Sequence, residues 1–234
     1  MNSTILLLIL AVVLALAAIL LWWLLIATEG VYLGRRIVTW LYDVYANRYD
    51  SIKAYVPDWE QWTLAEPIHK MLSEIDQPLI LDVATGTARL PAAVLTASEF
   101  DGTVIGLDRS AKMLDMAAQK LNADRRVSFV LSDAVALPFH SDTFDLVCCL
   151  EALEFVPDQW QVIAEIVRVT HPGGAIAITN RKGWQRWLYP FRTQDTQRFV
   201  RELQRRFDLD SVTPTLWQMD YDLIWAMKGT AKTS

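Results

Sequence analysis

Four acidic residues each close a short apolar run: Asp82 after "LIL" (followed by "VATGTA"), Asp108 after "VIGL", Asp133 after "SFVLS" and Glu151 after "LVCCL". Carboxylates spaced in this way can grip hydroxyl groups and cations. Gly86, in the loop behind Asp82, permits a close backbone approach that a Cβ would block. Asp108 lies about 20 residues beyond that loop, the spacing of a carboxylate that takes the two hydroxyls of a ribose. An adenosine-containing ligand is therefore expected. A pyrophosphate would be repelled by Asp82, whereas an amine or a sulfonium would be attracted to it.

The elements that must position these groups alternate along the chain. Helices are expected over Glu66–Ile75, Leu90–Thr96, Ala111–Asn122 and Gln159–Val169. Between them lie the strands "PLILDV", "GTVIGLD", "VSFVLSD", "FDLVCCL" and "GAIAITN". Continuous apolar strands between amphipathic helices form a parallel sheet covered on both faces. The fold class is α/β, doubly wound, and ligands in such folds sit beyond the carboxyl ends of the strands. The closing "TLWQMDYDLIWAMKG" is expected to hold the last two strands. Cys148 and Cys149 are neighbours on a strand and point to opposite faces, so they read as small buried hydrophobes rather than a disulfide or a metal site.

Four motifs, "ILDVATGTARL", "VIGLDRSAKML", "LSDAVALPFHSDTFDLVCCLEALEFV" and "EIVRVTHPGGAIAIT", stand in this order. Together they resemble the class I S-adenosylmethionine-dependent methyltransferases, in particular the small-molecule branch with the quinone-biosynthesis enzymes. The resemblance spans about Tyr42 to Lys228 and implies a seven-stranded, mostly parallel Rossmann-like sheet with an antiparallel last strand. It implies that Asp82 orients the methionine amino group and that the backbone of Ala84, Thr85 and Gly86 passes along the methionine. Asp108 would hold the ribose, with Arg109 and Met113 beside the adenine. Asp133 and the backbone of Ala134 would meet the adenine amino edge, and Leu150 and Glu151 would face the reacting end. Ala84 and Ala88 stand where the family often has glycine. No metal is implied. Glu151 is the placement-favoured general base should the acceptor need one, against the plainer reading of a ligand-orienting or solvated carboxylate. Glu154 reads as a helix-start charge and His140 as a surface residue, and Tyr49 is a further candidate.

Ahead of this domain, Ile5–Ala27 carries no charge, no proline and no glycine. At about 1.5 Å per residue it is long enough to cross a hydrocarbon core of roughly 30 Å. A cleaved signal would have a basic start and a shorter apolar core, so an uncleaved anchor is expected. Arg35 and Arg36 follow the span and no Lys or Arg precedes it, which places the N-terminus outside and the remainder in the cytoplasm. The expected organisation is an anchor over residues 1–28, an amphipathic aromatic connector or lid over 29–62 and the methyltransferase domain over 63–234. In the connector, Ile37, Trp40, Leu41, Val44 and Tyr45 recur at helical spacing, as in a helix lying on a membrane or in one packed into a core. Trp184, Trp187, Tyr189 and Phe191 are interspersed with Lys182, Arg186 and Arg192, which suits an anionic interface or a lid.

A formal net charge of −5 without a basic run weighs against nucleic acid as a partner. The expected partners are the membrane, a lipidic or small-molecule acceptor (a quinone, phospholipid headgroup or pigment) and, through the anchor, a membrane protein. A competing class is a non-catalytic, membrane-tethered assembly subunit. The three retained aspartates Asp82, Asp108 and Asp133 argue against it, since an abandoned site has no reason to hold unpaired carboxylates. A nicotinamide-dependent reductase is disfavoured by Asp82 and by the incomplete glycine fingerprint.

Overall fold

The computed structural model describes residues 2–53, 55–96 and 100–230, so the outermost residues of the expected anchor and domain fall outside them. The first helix, α1 (Ser3–Trp22), continues through a wide turn to Ala27. The combined helix is 25 residues long, and its most apolar stretch has a mean hydropathy of 3.3 with none of it buried. Thr28 ends it by donating its hydroxyl to the carbonyls of Trp23 and Leu24. This is one helix long and apolar enough to cross a membrane.

Gly30 and Gly34 have φ of 75° and 97°, and these left-handed positions turn the chain back toward the domain. Helices α2 (Arg35–Tyr45) and α3 (Tyr49–Lys53) follow. Next, α4 (Pro57–Glu60) runs through a widened turn over Gln61–Ala65 into α5 (Glu66–Leu72). Pro67 lacks the N–H that would reach Thr63, and the widened turn accommodates that loss. The connector boundary expected at residue 62 thus falls inside a continuous helical stretch. Pro57 starts that stretch, and Leu64, Ile68 and Leu72 bury it against the sheet.

The sheet comprises β1 (Leu79–Val83), β2 (Thr103–Asp108), β3 (Val127–Leu131), β4 (Phe144–Cys149), β5 (Thr170–Arg181), β6 (Leu209–Leu216) and β7 (Tyr221–Lys228). Its order is β3-β2-β1-β4-β5-β7-β6, with β7 antiparallel to both its neighbours. This is the expected seven-stranded, mostly parallel sheet. Helices α6 (Arg89–Leu95), α7 (Ala111–Lys120), α8 (Gln159–Val169) and α9 (Thr196–Arg206) complete the fold. One sheet face packs Leu81, Val147, Cys149 and Ile178 under α8 and α9, and the other packs Ile80, Leu146, Cys148 and Ala177 under α5 and α6. The two cysteines are free, buried and on opposite faces, as alternation on a strand requires.

The penultimate strand lies earlier than expected. The last two strands do not share Thr215–Gly229; β6 already begins at Leu209. Its mostly exposed side chains and Pro214 hide it from an apolar pattern, and an edge strand tolerates proline because one of its sides needs no ladder.

Candidate active site

Strand order reverses between β1 and β4, so the loops after these two strands open a crevice at the switch point. In the loop after β1, Ala84, Gly86 and Ala88 have φ of 59°, 54° and 63°. The two alanines occupy conformations that glycine adopts freely and that cost an L-residue roughly 1–2 kcal/mol each. The resulting coil turns the Gly86 N–H onto Asp108 at the end of β2, where it donates at 2.9 Å. The N–H of Ser110 donates to the other oxygen of Asp108 at 2.8 Å. Each oxygen of Asp108 keeps acceptor capacity, and the carboxylate lines the cleft.

The cleft, of about 820 Å³ and open to solvent, is lined by Ala84, Gly86, Asp108, Arg109, Asp133, Ala134, Leu150 and Glu151 among the expected site residues. Asp82 and Thr85 line a smaller hollow of about 360 Å³ that shares Ala84, Gly86, Leu150 and Glu151 with it. Met113 lines neither; it is 1% exposed, and its N–H donates to the capping hydroxyl of Ser110 at the start of α7.

Asp82 is 3% exposed and forms no ion pair among the described residues. The Thr85 hydroxyl donates to it at 2.6 Å. Burial, reinforced by the charge of Asp108, pushes its carboxyl up to about 7 despite the Thr85 bond. A buried carboxylate in want of a cation fits the ammonium group of a methionine moiety, and Asp108 across the loop fits the ribose. The residues present thus suit S-adenosylmethionine. Asp133 is held differently from expectation: Arg35 donates to it at 2.8 Å, with Arg109 at 3.6 Å. The carboxylate that follows β3 is thus bridged to α2.

Arg35 belongs to α2, which lies over the cleft. Arg35, Val38, Thr39 and Tyr42, with Tyr49 behind them, line its outer wall, and Asp43 accepts from Ser110 at 2.5 Å. The apolar side chains of this helix are divided between two environments. Leu41 is buried and Tyr42 turns inward, while Trp40, Val44 and Tyr45 are exposed. Of these wall residues only Tyr49 was singled out as a site candidate; the signal available for the others was the density of tyrosines between positions 42 and 55.

Beyond Glu151 lies a second cavity, of about 1090 Å³. Glu151 itself has φ of 51° and lines both cavities as well as the hollow beneath Asp82. Lys53 donates to one of its oxygens at 2.9 Å and Arg89 to the other at 2.5 Å. Arg89 also pairs with Glu60 through Nε and Nη2, at 2.9 and 2.6 Å. Burial raises the Glu151 carboxyl, but Lys53 and Arg89 outweigh it and hold the group below the usual range. It is a fixed anion and a weak base. Burial raises the phenols of Tyr49 and Tyr55 nearby and keeps them protonated.

Glu154, expected as a helix-start charge, is instead buried. Arg181 donates to it at 2.7 Å and the Tyr221 hydroxyl at 2.5 Å. Neither Arg89 nor Arg181 carried a signal in the sequence, because their partners are remote along the chain. His140 is exposed, lines none of these cavities, and its carbonyl accepts from Thr143.

Comparison with known proteins places this geometry. Residues 81–178 match the family described as a methyltransferase domain. Over 98 residues the chain is 43% identical to demethylmenaquinone methyltransferase of Shouchella clausii, covering 41% of this chain and 42% of that protein. Over 147 residues it is 34% identical to the Lactiplantibacillus plantarum enzyme of the same name, covering 59% and 60%. The matched part thus spans about half the length of these curated relatives. Among solved structures, a SAM-dependent methyltransferase from Aquifex aeolicus superposes with a TM-score of 0.55 at 19% identity, over 74% of this chain and 98% of that one. The [4+2]-cyclase SpnF superposes at 0.60 and 17% identity, over 72% and 81%. These likenesses show the fold.

Proposed function

We propose that this chain, which carries a class I S-adenosylmethionine-dependent methyltransferase domain, transfers a methyl group to a membrane-resident small molecule or lipid of quinone-like character. The observation that carries the reading is the meeting at Glu151 of three spaces: the cleft lined by a ribose-ready Asp108, the adjoining hollow lined by a cation-seeking Asp82, and a second cavity leading away from both. The names of the relatives support the quinone-like character of the acceptor.

S-adenosylmethionine supplies an already activated methyl group when bound. The chain's own task is to bind, align and exclude water. Asp82 holds an ammonium, Asp108 fixes a ribose, and α2 closes the outer wall through Arg35 and Asp133. Glu151, locked by Lys53 and Arg89, presents a fixed negative charge where positive charge is transferred.

In the same proposal Ser3–Ala27 is an uncleaved anchor with the N-terminus outside, residues 29–62 serve as connector and lid, and the domain faces the cytoplasm. The fold alone leaves another activity open, since a cyclase shares it. The decisive experiment is mass spectrometry of lipids from membranes with and without the chain, paired with calorimetry of cofactor binding. Accumulation of a species lighter by one methyl group supports the reading. Failure to bind the cofactor sinks it and favours an assembly subunit. For topology, a cysteine at Ser3 should react with an impermeant maleimide in intact cells and one at Thr213 should not; the opposite pattern reverses the orientation.

A further inference from the structure

We propose that the second cavity receives an amphiphile sideways from the bilayer, through a mouth built where the span ends, and that the amphiphile's head is uncharged. Calling that amphiphile the acceptor rests on the methyltransferase reading; the mouth itself rests on geometry. The cavity's exposed lining is apolar: Ile52, Val56 and Trp59 are 60%, 58% and 41% exposed. Its buried lining is polar, with Glu60, Arg181 and Tyr221. Apolar rim and polar floor give the cavity a direction. The rim also includes Ala27, the last residue of the 25-residue apolar helix.

Contacts at that point fix which face of the domain meets the membrane. The Tyr189 hydroxyl donates to the Ala27 carbonyl at 3.3 Å, and the Tyr32 hydroxyl to the Pro190 carbonyl at 2.9 Å. Trp23, inside the span, stacks on Tyr32 at 4.9 Å. The segment bearing Trp184, Trp187 and Phe191, which are 69%, 73% and 102% exposed, is therefore held against the end of the span. Indole rings favour the headgroup region, so the span and these side chains would enter the interface together. The mouth then opens at the level of the headgroups, where an apolar tail can stay in the bilayer while its head reaches the floor.

The floor selects the head. Lys53 and Arg89 are paired with Glu151, Arg89 also with Glu60, and Arg181 with Glu154. Glu29 and Asp220, which also line the cavity, add negative charge and form no ion pair among the described residues. A phosphate or carboxylate head meets no uncommitted cation there. A neutral head that donates and accepts hydrogen bonds meets hydroxyls and carboxylates.

The test uses the full chain in phosphatidylcholine vesicles with a trace of a long-chain alkylphenol bearing a diazirine on its tail. After illumination, labelled peptides are mapped by mass spectrometry, and cofactor binding is measured on the same preparation. Label is expected on residues 52–59 and on Leu188. An alkyl phosphate with the same tail should label them roughly tenfold less, since like charges are set against each other. Ile52→Glu, at the exposed rim, should lower the phenol's labelling to a similar degree while the cofactor still binds. Label confined to α1 overturns the mouth, and equal labelling by the phosphate overturns the neutral head. Labelling without cofactor binding leaves the amphiphile site standing and removes the methyl-transfer reading instead.

Discussion

A carboxylate that is 3% exposed and lacks a cation is costly to ionise, and Asp82 makes that cost measurable. Its folded-state carboxyl rises to about 7, from burial first and the Asp108 charge second. A raised value means the ligand-free fold is stabilised in acid and loses that contribution as pH climbs from the ordinary carboxylate range through about 7. An ammonium ligand reverses the preference, because it favours the ionised form. Cofactor binding should therefore release close to one proton below pH 7, and its affinity should rise by about tenfold per unit until it levels off. Calorimetry in buffers of different ionisation enthalpy counts that proton. Asp82→Asn should bind weakly with no proton release; a variant that still releases it would move the linkage to another group, Asp108 being the nearest. Asp108 has a separate role. Asp108→Ala removes the ribose grip, where hydrogen bonds to charged groups contribute about 1.5–3 kcal/mol each. It also strands the Gly86 and Ser110 N–H groups that the carboxylate now satisfies. Calorimetry should show an affinity loss of at least about a hundredfold, and an affinity unchanged within about twofold would remove Asp108 from the site.

Elements are joined at the site by charge rather than by apolar packing alone. Glu60 on α4, Arg89 at the head of α6, Glu151 after β4 and Lys53 on α3 form one alternating chain, with Arg89 also lying over the rings of Tyr55 and Trp217 at 4.1 and 4.7 Å. Breaking a buried pair by removing one partner costs about 3–5 kcal/mol, because the other charge stays behind. Arg89→Met strands Glu60 entirely and leaves Glu151 to Lys53. The melting midpoint should fall by roughly 6–20 °C. Arg89→Lys keeps a charge but cannot reach both carboxylates in the same geometry, so it should fall between the two. Equal midpoints for the methionine variant and the parent would show that the chain contributes nothing to stability.

The same chain explains what the sequence could and could not reveal. Strands β1 to β5 and β7, the carboxylates that follow the first four and the split of Cys148 from Cys149 are local in their causes, and all were legible. Arg35 meets Asp133, and Lys53 meets Glu151, across 98 residues, while Arg89 meets Glu151 across 62. No spacing rule reaches that far. Helical position alone likewise does not reveal that Met113 is buried under the start of its helix. The edge strand β6 was displaced because its solvent-facing pattern resembles a loop.

At the scale of the whole molecule, the span, the lid and the active-site cleft are consecutive in the chain and joined in space, so the position of a truncation matters. A chain beginning at Glu29 loses the span but keeps α2 with Arg35, Val38 and Tyr42 on the cleft wall. A chain beginning at Thr39 cuts α2 and removes the Arg35 bridge to Asp133. The first should bind S-adenosylmethionine within about twofold of the full chain, and the second several-fold more weakly by calorimetry. Turnover separates the roles further. Anchoring raises the effective concentration of a bilayer-resident acceptor without adding a contact. The chain beginning at Glu29 should therefore lose most of its rate on acceptor embedded in vesicles and regain it on a short-chain analogue dispersed in detergent. If it methylates the embedded acceptor as fast as the full chain, the span serves assembly or localisation, and the lipid acceptor loses its main support. If it fails on both substrates while still binding the cofactor, the end of the span is part of the acceptor cavity itself, as the place of Ala27 on its rim would then require.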